Sequence, residues 1–355
     1  MYNKNKGSKP VTGNKRTEIS EVGEFGLIDR LTRNIRIKNP GTVTGVGDDA
    51  AVIDTKGNIL LLSTDLLIEG VHFDLTYVPL KHLGYKAAVV NFSDIAAMNG
   101  VPKQITVSIA VSNRFSLEAI EELYSGILMA CEKYNVDLVG GDTSSSLSGL
   151  FISVTVTGEA KKEEVVYRNG AKEGDLICVS GDLGGAYIGL LILEREKNVF
   201  KADPNMQPEL DGYEYVLSRQ LKPEARVDIR PLLQGLDIMP TAMIDISDGL
   251  ASEILHICKS SSTGCRLFEE KIPIDDETRR LSMEFKIIPS VSALSGGEDY
   301  ELLFTIKQGD WEKIKDVPGI SVIGHITAAS EGTRLVTGDG KLIPITAQGW
   351  DAMKK

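Results

Sequence analysis

Apolar runs along this chain repeatedly end in an aspartate beside a glycine or a hydroxyl residue, and an alternating α/β architecture is the fold class that repeats such a unit. The copies are Gly45-Val46-Gly47-Asp48-Asp49, Ser63-Thr64-Asp65, Gly140-Gly141-Asp142-Thr143, Asp245-Ile246-Ser247-Asp248-Gly249-Leu250 and Ser295-Gly296-Gly297-Glu298-Asp299-Tyr300-Glu301. A strand fixes backbone direction, so an Asp at its end projects into the crevice at the carboxyl edge of a sheet. A neighbouring glycine lets phosphate oxygens approach backbone N–H groups closely.

Gathering carboxylates without cations is costly, because two unit charges about 4 Å apart repel by roughly 4 kcal/mol at an effective dielectric near 20. Magnesium prefers a few carboxylates together with substrate phosphates and retained waters. Asp49, Asp65, Asp94, Asp142, Asp245 and Asp248 suit that sparse style, and point to divalent ions carrying a polyphosphate. Alone, each would read as a turn cap. Their repetition favours metal binding.

The formal charge of -11 argues against a nucleic-acid partner, which would be held through basic surface. Four cysteines, Cys131, Cys178, Cys258 and Cys265, lack CxxC spacing and read as buried thiols. There is no G-x-x-x-x-G-K-[ST] loop, and the four histidines show no metal-ligand spacing. His72, just after an acidic run, is the better site candidate; His256 reads as structural. No uncharged run approaches the roughly 18 residues that span a bilayer. The lysine-rich start has no apolar core, so a cytoplasmic protein with a polar tail over 1–20 is expected.

Two α/β domains are expected, over 21–160 and 161–355, with a polar linker at 161–174. In the first, a strand at 58–63 ends in Thr64-Asp65, and Pro79 opens an amphipathic helix to Ala97. Strands follow at 104–112 and 151–158. Between them Ser116 caps a helix to Tyr134, and 137–140 leads into the Gly141-Asp142-Thr143 turn. The second domain has strands at 175–180, 242–246, 301–306 and 322–326, a helix from Gly249 to near Ser261, and a hairpin at 338–340. Residues 196–211 read as an inserted loop.

The five runs above, with Gly70-Val71-His72-Phe73 and Lys86-Ala87-Ala88-Val89-Val90-Asn91-Phe92-Ser93-Asp94-Ile95-Ala96-Ala97-Met98, resemble the thiamine-monophosphate kinase family from about Gly23 to Trp350. The wider superfamily includes aminoimidazole ribonucleotide synthetase, selenophosphate synthetase and hydrogenase maturation proteins. The resemblance implies a two-domain α/β (α+β) fold of the aminoimidazole ribonucleotide synthetase type, whose N-terminal sheets pair into a barrel across a homodimer. It implies transfer of the γ-phosphoryl of ATP to thiamine monophosphate. Asp49, Ser63, Thr64, Asp65, Asp94, Asp142, Asp245 and Asp248 would hold several Mg2+ ions. ATP would be met by Tyr124, Gly141, Asp142, Arg168 and Ser247, and thiamine monophosphate by His72, Glu298 and Trp350. The alternative within the superfamily is a purine-pathway synthetase; the selenophosphate and hydrogenase chemistries would each want a terminal cysteine that this chain lacks.

Overall fold

The computed structural model describes residues 42–44, 48–55, 57 and 59–347. The tail at 1–20, the glycines Gly45 and Gly47, and Trp350 lie outside the described residues. The first half builds a six-stranded sheet from β1 (Thr42–Thr44), β2 (Ala51–Asp54), β3 (Ile59–Ile68), β4 (Val101–Val111), β5 (Asp137–Ser145) and β6 (Leu150–Ala160). Their spatial order is β1-β2-β3-β6-β4-β5, antiparallel except for the parallel pair β4–β5. Alternation in β6 puts Leu150, Ile152, Val154 and Val156 on a face covered by α1 (Leu80–Ala97) and α2 (Leu117–Tyr134).

Ser116 caps α2 by accepting the Ala119 N–H at 3.3 Å, and Asn135 ends it in the left-handed region. Fourteen of the eighteen residues of α1 are buried, so it is a core helix and not the amphipathic one its spacing suggests. It can pack so tightly because Gly84 and Gly126 lie at its contact with α2. A Cβ on either would stand 1.9 Å from a backbone oxygen of the facing helix.

The second half builds a seven-stranded sheet from β7 (Leu176–Ser180), β8 (Ala242–Asp245), β9 (Gly264–Phe268), β10 (Leu302–Ile306), β11 (Ile320–Thr327), β12 (Thr333–Val336) and β13 (Leu342–Pro344). The order is β13-β12-β9-β11-β7-β10-β8. Helices α3 (Gly185–Ala202), α4 (Glu214–Leu221), α5 (Ile229–Gly235), α6 (Leu250–Ser261), α7 (Asp276–Glu284), α8 (Pro289–Ser295) and α9 (Trp311–Ile314) complete it. One face of this sheet buries Ile177, Ile244 and Leu303 with α6; the other buries Cys178, Met243 and Phe304 with Ala96 and Ala97 of α1. So α1 is shared by both cores, and it packs directly on β8.

The structure corrects several expectations. β3 does not stop before Asp65; it pairs with β6 without a break from Ile59↔Ala160 to Ile68↔Phe151. The polar pair Thr64-Asp65 continues the alternation, with Thr64 outward and Asp65 on the helix side opposite buried Val154. Likewise Gly141-Asp142-Thr143 is part of β5 and not a turn: it pairs with β4 through a register shift, and Gly141 is needed because a Cβ would lie 1.9 Å from the Val107 oxygen. The expected loop at 196–211 begins as helix, α3 running on to Ala202. Strand β9, which lies between β12 and β11, had no counterpart in the sequence reading. All four cysteines are free and buried, and among the described residues no helix is long and apolar enough to cross a membrane.

Candidate functional site

Three segments from both halves deliver carboxylates to one point. Asp94 comes from the last turns of α1, Asp245 from the end of β8, and Asp49 from the segment that enters β2. One oxygen from each lies within 4.8 Å of the others. Asp94 accepts a hydrogen bond from Ser63 Oγ (2.5 Å), and Asp245 one from Ser93 Oγ (2.6 Å). Arg168 grips Asp49 with two parallel bonds, Nε to Oδ2 at 2.8 Å and Nη2 to Oδ1 at 2.7 Å. Its backbone N–H meets Asp48.

The electrostatics are those of a site where carboxylates outnumber the single guanidinium of Arg168. Burial, and then the charge of Asp49, push the carboxyl of Asp48 up to about 7 and that of Asp245 up to about 8. Burial alone lifts Asp65 to about 6. Asp94 is raised by burial, then by Asp65, Asp245 and Asp49. Asp65 is therefore part of the same field. Hard oxygen donors this close, buried and mutually repelling, fit a divalent cation of the magnesium type.

A pH prediction follows from these shifts. Asp48, Asp65 and Asp245 bind protons more tightly folded than unfolded, so the folded chain holds the excess protons between 3.8 and about 8. Metal-free stability should therefore fall as pH rises through that window, with the loss complete above it. Melting curves with chelator from pH 5 to 9 should slope downward, and added Mg2+ should flatten them; a flat metal-free profile would contradict the cluster.

The run after β8 and the run before β10 are laced together by backbone bonds. Glu298 N–H donates to the Ser247 oxygen (2.7 Å), Tyr300 N–H to the Ile246 oxygen (2.9 Å), and Ile246 N–H to the Glu301 oxygen (2.8 Å). Gly297, at φ +73°, leaves room for the Ser247 carbonyl, which a Cβ would approach to 2.6 Å. Glu298 is held by Lys86 Nζ at 3.0 Å and Gln220 Nε2 at 2.8 Å. The other two acids of that run do different work. Asp299, fully buried and with its carboxyl raised by burial to about 7, accepts the Gly184 and Ala186 N–H groups at the start of α3. Glu301 binds Ser180, Arg219 and Arg226 inside the second lobe.

Other expected site residues are not brought to the cluster within this chain. Asp142 pairs with Ser108 on edge strand β5, three strand spacings from the row of Asp65, which at about 4.8 Å each is roughly 14 Å. Gly141 is its neighbour there. Thr64 points outward and bonds the Val154 oxygen at 3.0 Å. Tyr124 is half-buried on α2 against the first core. His72 lies beyond β3, its Nδ1 accepting the Ile68 N–H at 3.0 Å. Ser247 and Asp248, by contrast, follow Asp245 by two and three residues in the turn between β8 and α6, so they stay next to that corner of the cluster. Residues that the reading of single motifs passed over are Ser93, Lys86, Gln220 and Tyr300. Lys86 and Ser93 lie within the run Lys86 to Met98 and Tyr300 within Ser295 to Glu301, so only Gln220 falls outside every run singled out in the sequence.

Comparison with known proteins matches both halves of the chain. The model for the N-terminal domain of AIR synthase related proteins matches residues 47–160, and that for the C-terminal domain matches 172–336. Thiamine-monophosphate kinase of Bacillus subtilis is 34% identical over 340 residues, covering 94% of this chain and 100% of the relative. The Aquifex aeolicus enzyme of the same name is 35% identical over 333 residues, covering 94% and 98%. A solved structure described as AaThiL complexed with AMPPCP and TMP superposes with a TM-score of 0.81 at 33% identity, covering 95% of this chain and 99% of that one.

Proposed function

The chain belongs to the thiamine-monophosphate kinase family, and from that premise we propose that it transfers the γ-phosphoryl group of ATP to thiamine monophosphate, giving thiamine diphosphate and ADP. The observation that carries the mechanism is the meeting of Asp49, Asp94 and Asp245 from both lobes within 4.8 Å. With Ser63, Asp65 and Asp248 nearby in the fold, these residues would hold Mg2+. Bound there, the cations would supply the positive charge that lets two polyanions approach each other.

The attacking group is a phosphate oxygen already ionised at neutral pH, so the chain needs no general base. Its residues act by positioning. Arg168 would exchange Asp49 for a phosphate of ATP, since its planar fork suits either partner. Ser247 would meet the nucleotide beside it. Asp142 with Gly141, Thr64 and Tyr124, set apart from the cluster, would take metal or the part of the nucleotide that lies away from the γ-phosphate. Glu298 and His72 would hold thiamine monophosphate, joined by Trp350 from outside the described residues. The division at 160/161 and a cytoplasmic setting belong to this reading. So does a homodimer: the face of the six-stranded sheet opposite α1 carries exposed Leu66, and pairing with a second copy would close a barrel over it.

The test is purified protein with ATP, Mg2+ and thiamine monophosphate. Thiamine diphosphate should form one-for-one with ADP, and labelled γ-phosphate should never be trapped on protein. ATP hydrolysis without thiamine diphosphate, or turnover with formylglycinamidine ribonucleotide instead, would overturn the reading.

A further inference from the structure

Tyr300 has a backbone and a side chain that packing alone does not account for. It sits at φ +51°, a region where a bulky non-glycine residue is strained. The strain is imposed by the bond from its N–H to the Ile246 oxygen (2.9 Å), which locks the residue to the segment that carries Asp245, Ser247 and Asp248. Although it lies just before β10 of the second lobe, its ring packs into the first lobe's core, and only 9% of the residue is exposed.

Burial, then the charges of Glu298, Asp65, Asp245 and Asp94, hold its hydroxyl firmly protonated, so it can only act as a donor or neutral acceptor. Its place in the chain agrees: Tyr300 lies two residues from Glu298, and its N–H is bonded to Ile246, the residue after Asp245. A buried tyrosine hydroxyl usually finds a partner. Among the described residues this one has no hydrogen-bond partner. Within that set it is an unpartnered donor where the two halves of the site meet.

We infer that Tyr300 is a substrate-contacting residue whose hydroxyl donates to a phosphate oxygen of thiamine monophosphate. The inference rests on the function proposed above and deepens it. Glu298 would answer to the cationic thiamine end of the substrate and the metal-binding acids to its phosphate and to ATP; Tyr300 stands between them, where the acceptor phosphate must lie. A neutral donor suits this position, because a fixed cation would pair with the carboxylates instead. Its strained backbone keeps the hydroxyl from following substrate or relaxing onto an acid, which is the use such strain has at a site.

Tyr300→Phe removes the oxygen and keeps the ring, so the packing and the strained turn survive. Calorimetric titration with thiamine monophosphate and with thiamine, in the presence of Mg2+ and a non-hydrolysable ATP analogue, isolates the phosphate contact. The variant should bind thiamine monophosphate roughly ten- to a hundredfold more weakly, as expected for loss of a hydrogen bond to a charged group. Thiamine affinity and the KM for ATP should stay within about twofold. The phosphorus NMR resonance of bound thiamine monophosphate should also move, a readout that a purely structural role leaves unchanged. Equal weakening toward thiamine and thiamine monophosphate, or an unaltered affinity ratio and resonance in a variant of normal melting temperature, would overturn the assignment. If the native enzyme itself fails to bind or phosphorylate thiamine monophosphate, the proposed function falls first and this inference with it; if only Tyr300→Phe behaves as native, the function stands alone.

Discussion

Asp94→Asn is expected to lower kcat by at least about a thousandfold, close to 4 kcal/mol of transition-state stabilisation, while the metal-free protein melts no lower than the native one. The two effects differ because the same charge acts in opposite directions. Asp94 lies with Asp49 and Asp245 inside a 4.8 Å triangle and also feels Asp65. Without cations its charge is a liability, which the near-isosteric amide removes, and Ser63 keeps an oxygen to bond. With cations the charge is what binds them. The variant should therefore lose most of the rise in melting temperature that Mg2+ confers on the native protein. Turnover within tenfold of native, or an undiminished Mg2+ shift, would remove Asp94 from the metal site.

Glu301→Ala should do the reverse, costing stability heavily. One carboxylate, 3% exposed, receives Arg219 Nη1 at 3.0 Å, Arg226 Nη1 and Ser180 Oγ at 2.5 Å. Arg219 also donates to the backbone oxygens of Asp182 and Asp299, so these two arginines tie α4 and the following segment to the Glu298 run that precedes β10. Cutting the acid away leaves two guanidinium groups in a poorly solvated place, and breaking a buried pair in this manner costs about 3–5 kcal/mol. Typical domains are stable by about 5–15 kcal/mol, so the loss would be a large share of the total. The urea midpoint should fall with its slope unchanged. Glu301→Gln, which keeps an oxygen for Ser180 and one arginine, should lie between. A loss below about 1 kcal/mol in Glu301→Ala would show that water reaches the arginines and that the network is ornamental to folding.

These two acids also show what could be read in advance. Asp94 was legible as one of the recurring acids and as part of the run Lys86 to Met98, although the helix that carries it was expected to be amphipathic and proved buried. Glu301 stands in the same acidic run as Glu298, yet the fold uses it, with Asp299, to hold the second lobe together. Nothing in the run's spacing separates Glu298 from Glu301. What separates them is which side of the turn faces α3 and which faces α1, and that follows from the bonds between 246–247 and 298–300.

The same limit applied at Asp65 and Asp142. Both stood next to hydroxyl or glycine residues that usually end a strand, and both proved to lie within one. Their strands persist because β6 and β4 supply partners along the whole length, and such long-range pairing leaves no local mark.

Local chemistry was enough to establish the class of the protein. Alternation of strand and helix patterns, the caps at Pro79 and Ser116, and acids placed among glycines all depend on neighbours within a few residues, so the α/β class, the recurring acids and the family likeness are legible without coordinates. Convergence is a different kind of fact. That Asp49, Asp94 and Asp245 share one point, that Arg168 stands against Asp49, that Asp142 lies strands away, and that Tyr300 reaches across the seam all depend on how two sheets close around α1. Contacts between residues 45 to more than 200 positions apart are set by the packing of buried surface, and no short stretch of chain encodes that packing by itself.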